Sequence, residues 1–203
     1  MSRASTVVVL VVCGALLGCG GAGAAGRPPS AALPDAPPAP AARRPVPGAS
    51  TLVKQGEQKL RENDVEGARA LFERAIAEDA SDARAHLDLG IVRELEDDAA
   101  GAEAAYRRAI EIQPDLAEAL NNLAVLVRAR GELDEAIVLA RRATEANPGS
   151  AAAHANLALA LEDAGDDEGA ERSYAAALDR DPEAALTRAN FGLLLLKRER
   201  PDD

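Results

Sequence analysis

A spacing of 34 residues recurs from residue 49 onward and constrains the fold more than any other feature of the sequence. Alanine repeats at this spacing in one column, at Ala68, Ala102, Ala136 and Ala170. A second column consists of Ala75, Ala109, Ala143 and Ala177. The spacing holds without insertion or deletion, so successive segments are expected to form the same local structure and to stack on their neighbours.

Four further columns indicate what each segment contains. The position between the two alanines holds Phe72, Tyr106, Ala140 and Tyr174. An upstream column of small residues holds Gly56, Gly90, Ala124, Ala158 and Gly192. Residues of a type that suits a left-handed turn stand at Asn63, Asp97, Gly131 and Gly165. Prolines, which a helix cannot continue through, stand at Pro114, Pro148 and Pro182.

Together these columns resemble the tetratricopeptide repeat, a helix–turn–helix unit of 34 residues. The resemblance implies an all-α fold, a right-handed superhelical solenoid of antiparallel helix pairs. It predicts a domain over residues 49–203 that contains four units and a C-terminal capping helix. The units are 49–82, 83–116, 117–150 and 151–184, and the capping helix is 185–199. The aromatic residues are expected to fill the space between units, and Leu194 and Leu195 are expected to pack inward.

In tetratricopeptide proteins the first helices of the units line a concave groove that binds partner peptides. Carried over column by column, the resemblance predicts an apolar stripe beside a ladder of asparagines. The stripe consists of Ile91, Val125, Leu159 and Leu193, and Leu87 belongs to a further groove column one helical turn earlier. The ladder consists of Asn122, Asn156 and Asn190, with Asn121 beside it. Amide side chains both donate and accept hydrogen bonds, so they suit the backbone of an extended peptide. The alternative is that these asparagines only stabilise helix packing.

The net charge of the predicted repeat domain indicates which classes of binding partner are favoured. Residues 49–203 carry 33 acidic and 19 basic side chains, a net charge of −14. A field of this sign disfavours nucleic acid and suits a partner with some positive charge. The alternative is that the acidic residues only keep the helix surfaces solvated. Co-chaperone members of the family grip a C-terminal carboxylate with groove lysines and arginines, but the matching positions here are Val53, Glu57 and Asp88. Binding of chaperone tails is therefore not expected.

The N-terminal residues have the organisation of a secretory signal peptide. Arg3 precedes an apolar run from Val7 to Leu17, which is too short for a membrane-spanning helix, and small residues follow the run. A glycine pattern that ends at Gly26 is followed by the letters RPP. No helix can open there as a dinucleotide-binding loop requires, so the pattern does not predict a nucleotide site.

Residues 16–19, LLGC, resemble the lipobox of bacterial lipoproteins. The resemblance implies that residues 1–18 are a cleaved signal peptide and that Cys19 carries the lipid. Because Gly20 rather than aspartate follows the cysteine, it also implies the outer membrane, with the protein facing the periplasm. The alternative is an ordinary secretory signal that is cut elsewhere. Residues 19–48 are rich in glycine, alanine and proline, and this composition predicts a disordered linker.

No group of residues predicts catalysis, a metal site or a cofactor. His86 and His154 share a column two units apart and are expected to be packing residues. The sequence therefore predicts a non-enzymatic, lipid-anchored adaptor that binds proteins or peptides and assists assembly of an envelope complex. Two alternatives remain. One is a structural lipoprotein that self-associates through groove-facing Leu193 and Leu196, and the other is a pilotin-like factor for a pilus or secretion channel.

Overall fold

The computed structural model describes residues 47–199, and every regular element in that range is an α-helix. The helices are α1 (Pro47–Arg61), α2 (Val65–Glu78), α3 (Ala83–Leu95), α4 (Ala99–Ile112), α5 (Ala117–Ala129), α6 (Leu133–Ala146), α7 (Ala151–Asp163), α8 (Asp167–Arg180) and α9 (Ala185–Glu199). From α3 onward, each odd-numbered helix begins 34 residues after the previous one. The fold is an all-α solenoid of helix pairs, which confirms the predicted fold class.

Two predictions concern residues at the edge of this range or beyond it. The signal peptide, Cys19 and the linker through residue 46 lie outside the described residues. The linker was expected to reach residue 48, but α1 begins at Pro47. Proline suits the first turn of a helix because its backbone angle φ is already helical and no partner is needed for an N–H group there.

Consecutive helices pack against each other along the chain. The two helices of a pair make the most extensive contacts, and the second helix of each pair then packs on the first helix of the next. Left-handed residues make the turns inside the pairs, as predicted: the angle φ is 62° at Asn63, 60° at Asp97, 83° at Gly131 and 80° at Gly165. Reversal of the chain at these positions places the paired helices antiparallel.

Aspartate side chains begin most of the second helices. Asp64, Asp98 and Asp166 each accept a hydrogen bond at 2.9 Å from the backbone N–H three residues later. In the third pair, Leu116 and Glu132 stand at the equivalent positions before α5 and α6 and make no such bond. A side-chain cap of this kind contributes about 1 kcal/mol. The third pair therefore depends more on packing than the others do.

In the first two pairs an aromatic ring packs against a glycine of the paired helix. A methyl group placed at Gly56 would come within 2.5 Å of the Phe72 ring, and one placed at Gly90 would overlap the Tyr106 ring. The small column therefore exists to make room for the ring of the paired helix. The rings also reach the next unit, as expected, since the Tyr106 hydroxyl lies 3.5 Å from Asn122 Nδ2 and the Tyr174 ring stacks on Phe191. Phe72, Tyr106 and Tyr174 have no exposed surface.

The last helix differs in part from the prediction. Leu194 is fully buried, as expected for an inward-facing residue. Leu195 was expected to pack inward too, but 38% of its surface is exposed. Val127 and Leu161 occupy the same column and are 0% and 3% exposed. Both of them belong to a first helix that is followed by its paired second helix. Among the described residues no such helix follows α9, which is why Leu195 stays open.

Candidate peptide-binding groove

The predicted apolar stripe is present over three consecutive first helices. Ile91 on α3, Val125 on α5 and Leu159 on α7 are all partly exposed at equivalent positions. Leu193 continues the column on α9 and is 64% exposed. Leu87 does not line the groove, since its side chain is fully buried in the core cluster. It lies one helical turn before Ile91 and supports the groove wall from beneath.

The predicted asparagines form a hydrogen-bonded row along the same helices. Asn156 Nδ2 donates to Asn121 Oδ1 at 2.9 Å, which joins α7 to α5. Asn121 Nδ2 lies 3.5 Å from Asn122 Oδ1, and Asn122 Nδ2 lies 3.5 Å from the Tyr106 hydroxyl oxygen. These side chains are partly exposed, as is that of Asn190 on α9. Each amide has two donors and one acceptor oxygen, so the row retains unused hydrogen-bonding capacity.

Two tyrosines of the second helices bond to first helices, and one of them, Tyr106, also lies beside the asparagine row. The Tyr106 hydroxyl on α4 donates to Glu94 on α3, and the Tyr174 hydroxyl on α8 donates to Glu162 on α7 at 2.7 Å. Burial raises the pKa of both hydroxyls far above the usual range, and the hydrogen bonds to the carboxylates add to the effect. Both tyrosines therefore stay protonated and act as fixed donors. The Tyr106 hydroxyl, which lies beside Asn122, thus gives the amide row a fixed contact with α4.

An arginine surrounded by three carboxylates occupies the other end of the groove. Arg84 Nε lies 3.3 Å from Asp88 on its own helix and 3.6 Å from Glu57 on α1. The Arg84 guanidinium also pairs with Glu118 on α5. Sequence analysis did not single out this cluster. The available signal was that Arg84 and Glu118, which carry opposite charges, stand 34 residues apart and so share a column.

Asp88 is the one carboxylate of this cluster that is buried. Its relative exposure is 2%. Burial raises the pKa of Asp88 to about 7, and Glu57 and Glu118 add to this rise, whereas Arg84 opposes it. The pKa of this carboxyl therefore depends on its burial in the groove and on the charged residues around it. Three carboxylates around one guanidinium leave this end of the groove acidic at neutral pH.

Other predicted residues have packing roles or lie outside the site. His86 Nε2 and His154 Nε2 each lie 3.2 Å from a backbone carbonyl oxygen, of Ala80 and Pro148 respectively, just before their helices. Within residues 47–199, no group of histidine, cysteine or acidic residues has an arrangement that would hold a metal ion. No helix in the same range has the length and apolar character needed to cross a membrane.

The fold is similar to those of several solved tetratricopeptide proteins. A structure of Pseudomonas aeruginosa pilF aligns with a TM-score of 0.69 at 21% identity. The alignment covers 75% of this chain and 70% of that chain. YrrB, described as a TPR protein with an unusual peptide-binding site, aligns with a TM-score of 0.65 at 21% identity over 76% and 79% of the two chains. A MamA protein aligns with a TM-score of 0.58 at 26% identity over 68% and 75%.

Comparison with curated protein sequences finds no significant match. A family model does match, over residues 51–198, and this range includes every column of the groove described above. The family is described as the middle TPR-like domain of cilia and flagella-associated protein 70. Tetratricopeptide domains of this kind are typically non-catalytic scaffolds for protein interactions. The chain belongs to this family of tetratricopeptide-like domains.

Proposed function

We propose that the chain is a non-catalytic adaptor of the cell envelope that holds an extended segment of a partner protein in the groove formed by α3, α5 and α7. The observation that carries the proposal is the row of asparagines beside the apolar stripe. The row runs parallel to the stack of units and crosses from α5 to α7 through the bond between Asn121 and Asn156. YrrB, which has a similar fold, is described as having an unusual peptide-binding site, and this likeness supports the proposal.

The arrangement suits an extended peptide for two reasons. The amides already hold one another in place, so little side-chain freedom is lost when a ligand binds. Their unused donors and acceptors can bond to a peptide backbone, while Ile91, Val125 and Leu159 are partly exposed and offer apolar contacts to its side chains. The acidic cluster around Arg84 favours a basic residue at one end of the partner.

The proposal includes attachment to a membrane through lipid on Cys19. It is supported by the signal-peptide organisation and by the lipobox-like sequence LLGC. Several acyl chains on one residue are sufficient for stable anchoring. The proline-rich residues after Cys19 would then act as a tether that holds the groove away from the outer-membrane surface and facing the periplasm.

Removal of groove amides tests the binding function. With Asn122→Ala combined with Asn156→Ala, we expect the yield of crosslinked partner from cells to fall about tenfold, because the backbone of the partner loses its hydrogen bonds. Quantitative mass spectrometry of crosslinked complexes measures this yield. Asn147→Ala is the matched control, since Asn147 is exposed at the end of α6 and outside the groove. An unchanged partner profile in the double variant would contradict the groove assignment.

Labelling with palmitate tests the anchor. Cells that make the unchanged chain are expected to incorporate labelled palmitate into it, whereas Cys19→Ala should reduce the label to background, because no other cysteine lies after the predicted cleavage point. Cys13→Ala is the matched control and should keep the label, since Cys13 lies in the part that is removed. Equal labelling of the unchanged chain and Cys19→Ala would exclude the lipoprotein proposal.

Self-association through the last helix is the second candidate function. Leu193 and Leu196 on α9 are 64% and 59% exposed, as that hypothesis requires. The pilotin-like alternative differs only in the partner, so the identity of the crosslinked protein distinguishes it: a pilus or secretion-channel subunit would support it.

A further inference from the structure

The helix α9 carries a hollow that is filled in the earlier pairs. Gly192 occupies the same column as Gly56 and Gly90, where the rings of Phe72 and Tyr106 pack against the glycine. At Gly192 an added methyl group would meet no atom within 4 Å. The backbone surface that receives a ring in the first two pairs is therefore open on α9 in the described structure.

Three leucines close to Gly192 in the sequence are exposed, and two of them, Leu195 and Leu196, lie three and four residues after it on the same face of the helix. Leu193, Leu195 and Leu196 are 64%, 38% and 59% exposed. Two earlier residues of the Leu195 column are apolar, Val127 and Leu161, and both are buried. Each of them lies on a first helix that is covered by its paired second helix. The face of α9 thus has the composition of a first helix whose paired helix is not among the described residues.

We propose that α9 is the first half of a repeat and that an amphipathic helix of another protein binds it in the place of the second half, with a phenylalanine ring over Gly192. The earlier pairs show what the partner helix must present. Each second helix has alanine four residues before the ring position and three residues after it, as in Ala68, Phe72 and Ala75 of α2. The partner helix is expected to carry the same small–aromatic–small pattern. Leu193 also continues the apolar column of the groove, but the contact proposed at Gly192 does not depend on the asparagine row, so the inference is independent of the proposed function.

The choice of phenylalanine over tyrosine follows from the residue four positions after the small column. Where the ring is tyrosine, that residue is a glutamate that accepts the hydroxyl, as in the pairs Tyr106–Glu94 and Tyr174–Glu162. Where the ring is Phe72, that residue is Leu60, which packs against the cluster containing the ring. On α9 the corresponding residue is Leu196. A tyrosine hydroxyl placed there would lose its hydrogen bonds to water and gain no acceptor.

A second copy of this chain does not supply such a helix in its folded form. The sequence has four aromatic residues in all. Phe72, Tyr106 and Tyr174 are fully buried in their own pairs, and the Phe191 ring stacks on Tyr174 with 5.8 Å between ring centroids. Two copies of residues 49–203 would also repel each other, because each has a net charge of −14. The proposal therefore assigns the helix to a different protein.

A peptide with the sequence of residues 64–80 is a direct probe, since it contains α2 with Phe72 between Ala68 and Ala75. Fluorescence anisotropy of the labelled peptide with the purified full chain is expected to show binding, and a peptide with Phe72→Tyr should bind about tenfold more weakly. With Leu196→Glu in the full chain, the preference should reverse in favour of the tyrosine peptide, because the carboxylate restores the acceptor seen in the second and fourth pairs.

Filling the hollow is the matched test of location. Gly192→Leu in the full chain has room for its side chain and should weaken peptide binding at least tenfold with unchanged helix content, whereas Gly149→Ala in an exposed loop should bind as before. Three results would overturn the proposal: no binding, equal binding of the phenylalanine and tyrosine peptides, or binding unaffected by Gly192→Leu. Sedimentation that shows a dimer of the unchanged chain, lost in Gly192→Leu, would also overturn it and would assign this face to a second copy.

Discussion

Tyr106→Ala is expected to lower the free energy of unfolding by about 4 kcal/mol, the largest loss predicted for a single substitution in this chain. The Tyr106 ring is fully buried against Gly90, so its removal leaves a cavity between α3 and α4 that neither helix can close. The substitution also leaves Glu94 without the hydroxyl that donates to it. Urea denaturation followed by circular dichroism measures the change.

Two further variants separate the causes of this loss. Tyr106→Phe keeps the ring and removes only the hydroxyl, so it should cost about 1–2 kcal/mol. Val138→Ala on the outer side of α6 is the control for a large-to-small change at a partly exposed site and should cost well under 1 kcal/mol, since Val138 is 36% exposed. A loss below about 1 kcal/mol for Tyr106→Ala would show that the ring is not the main contact of this pair.

Asp88→Asn is expected to stabilise the chain at pH 8 by about 2 kcal/mol. Burial raises the pKa of Asp88 to about 7 in the folded protein, so at pH 8 the folded state holds a buried charge that it disfavours. A shift of about 3 pKa units corresponds to at most about 4 kcal/mol, and the variant gives up part of this gain because Arg84 loses one partner. Asparagine already stands at this position in the next two units, at Asn122 and Asn156, and on α9, at Asn190.

The pH dependence has a defined sign. A carboxyl group with a raised pKa contributes stability below its usual range near 4, and this contribution is lost as the pH rises through about 7. The free energy of unfolding of Asp88→Asn should therefore exceed that of the unchanged chain by about 2 kcal/mol more at pH 8 than at pH 5. Urea denaturation at each pH measures this difference. Asp115→Asn at an exposed site is the control. A gap of the same size at both pH values would contradict the buried-charge explanation.

Most of the fold could be predicted because the determining information is local and repeated. Four turn residues with left-handed geometry, two alanine columns and recurring prolines specify a helix–turn–helix unit from neighbours a few positions apart. Column identity then transfers from one unit to the next without knowledge of the packing. The same logic places Ile91, Val125 and Leu159 in one column, and all three are partly exposed.

Predictions about side-chain burial and about which side chains contact each other were less accurate. Leu87 was assigned to the groove because the family resemblance places its column there, but the side chain of Leu87 is buried. The sequence analysis predicted the asparagine column but not that Asn121, Asn122 and Asn156 bond to one another. The Arg84 cluster joins three helices and has no counterpart in any one unit. These properties depend on which side chains meet across units.

The sequence by itself determined the helices, the turns between them and the order in which the units stack, because each of these depends on contacts that recur every 34 residues. Only the tertiary structure decided which ring fills which hollow, how the buried Asp88 is surrounded, and that Gly192 lies open on α9 where Gly56 and Gly90 are covered. Those properties come from side chains of different units meeting at one place, and periodicity alone does not specify what occupies each place.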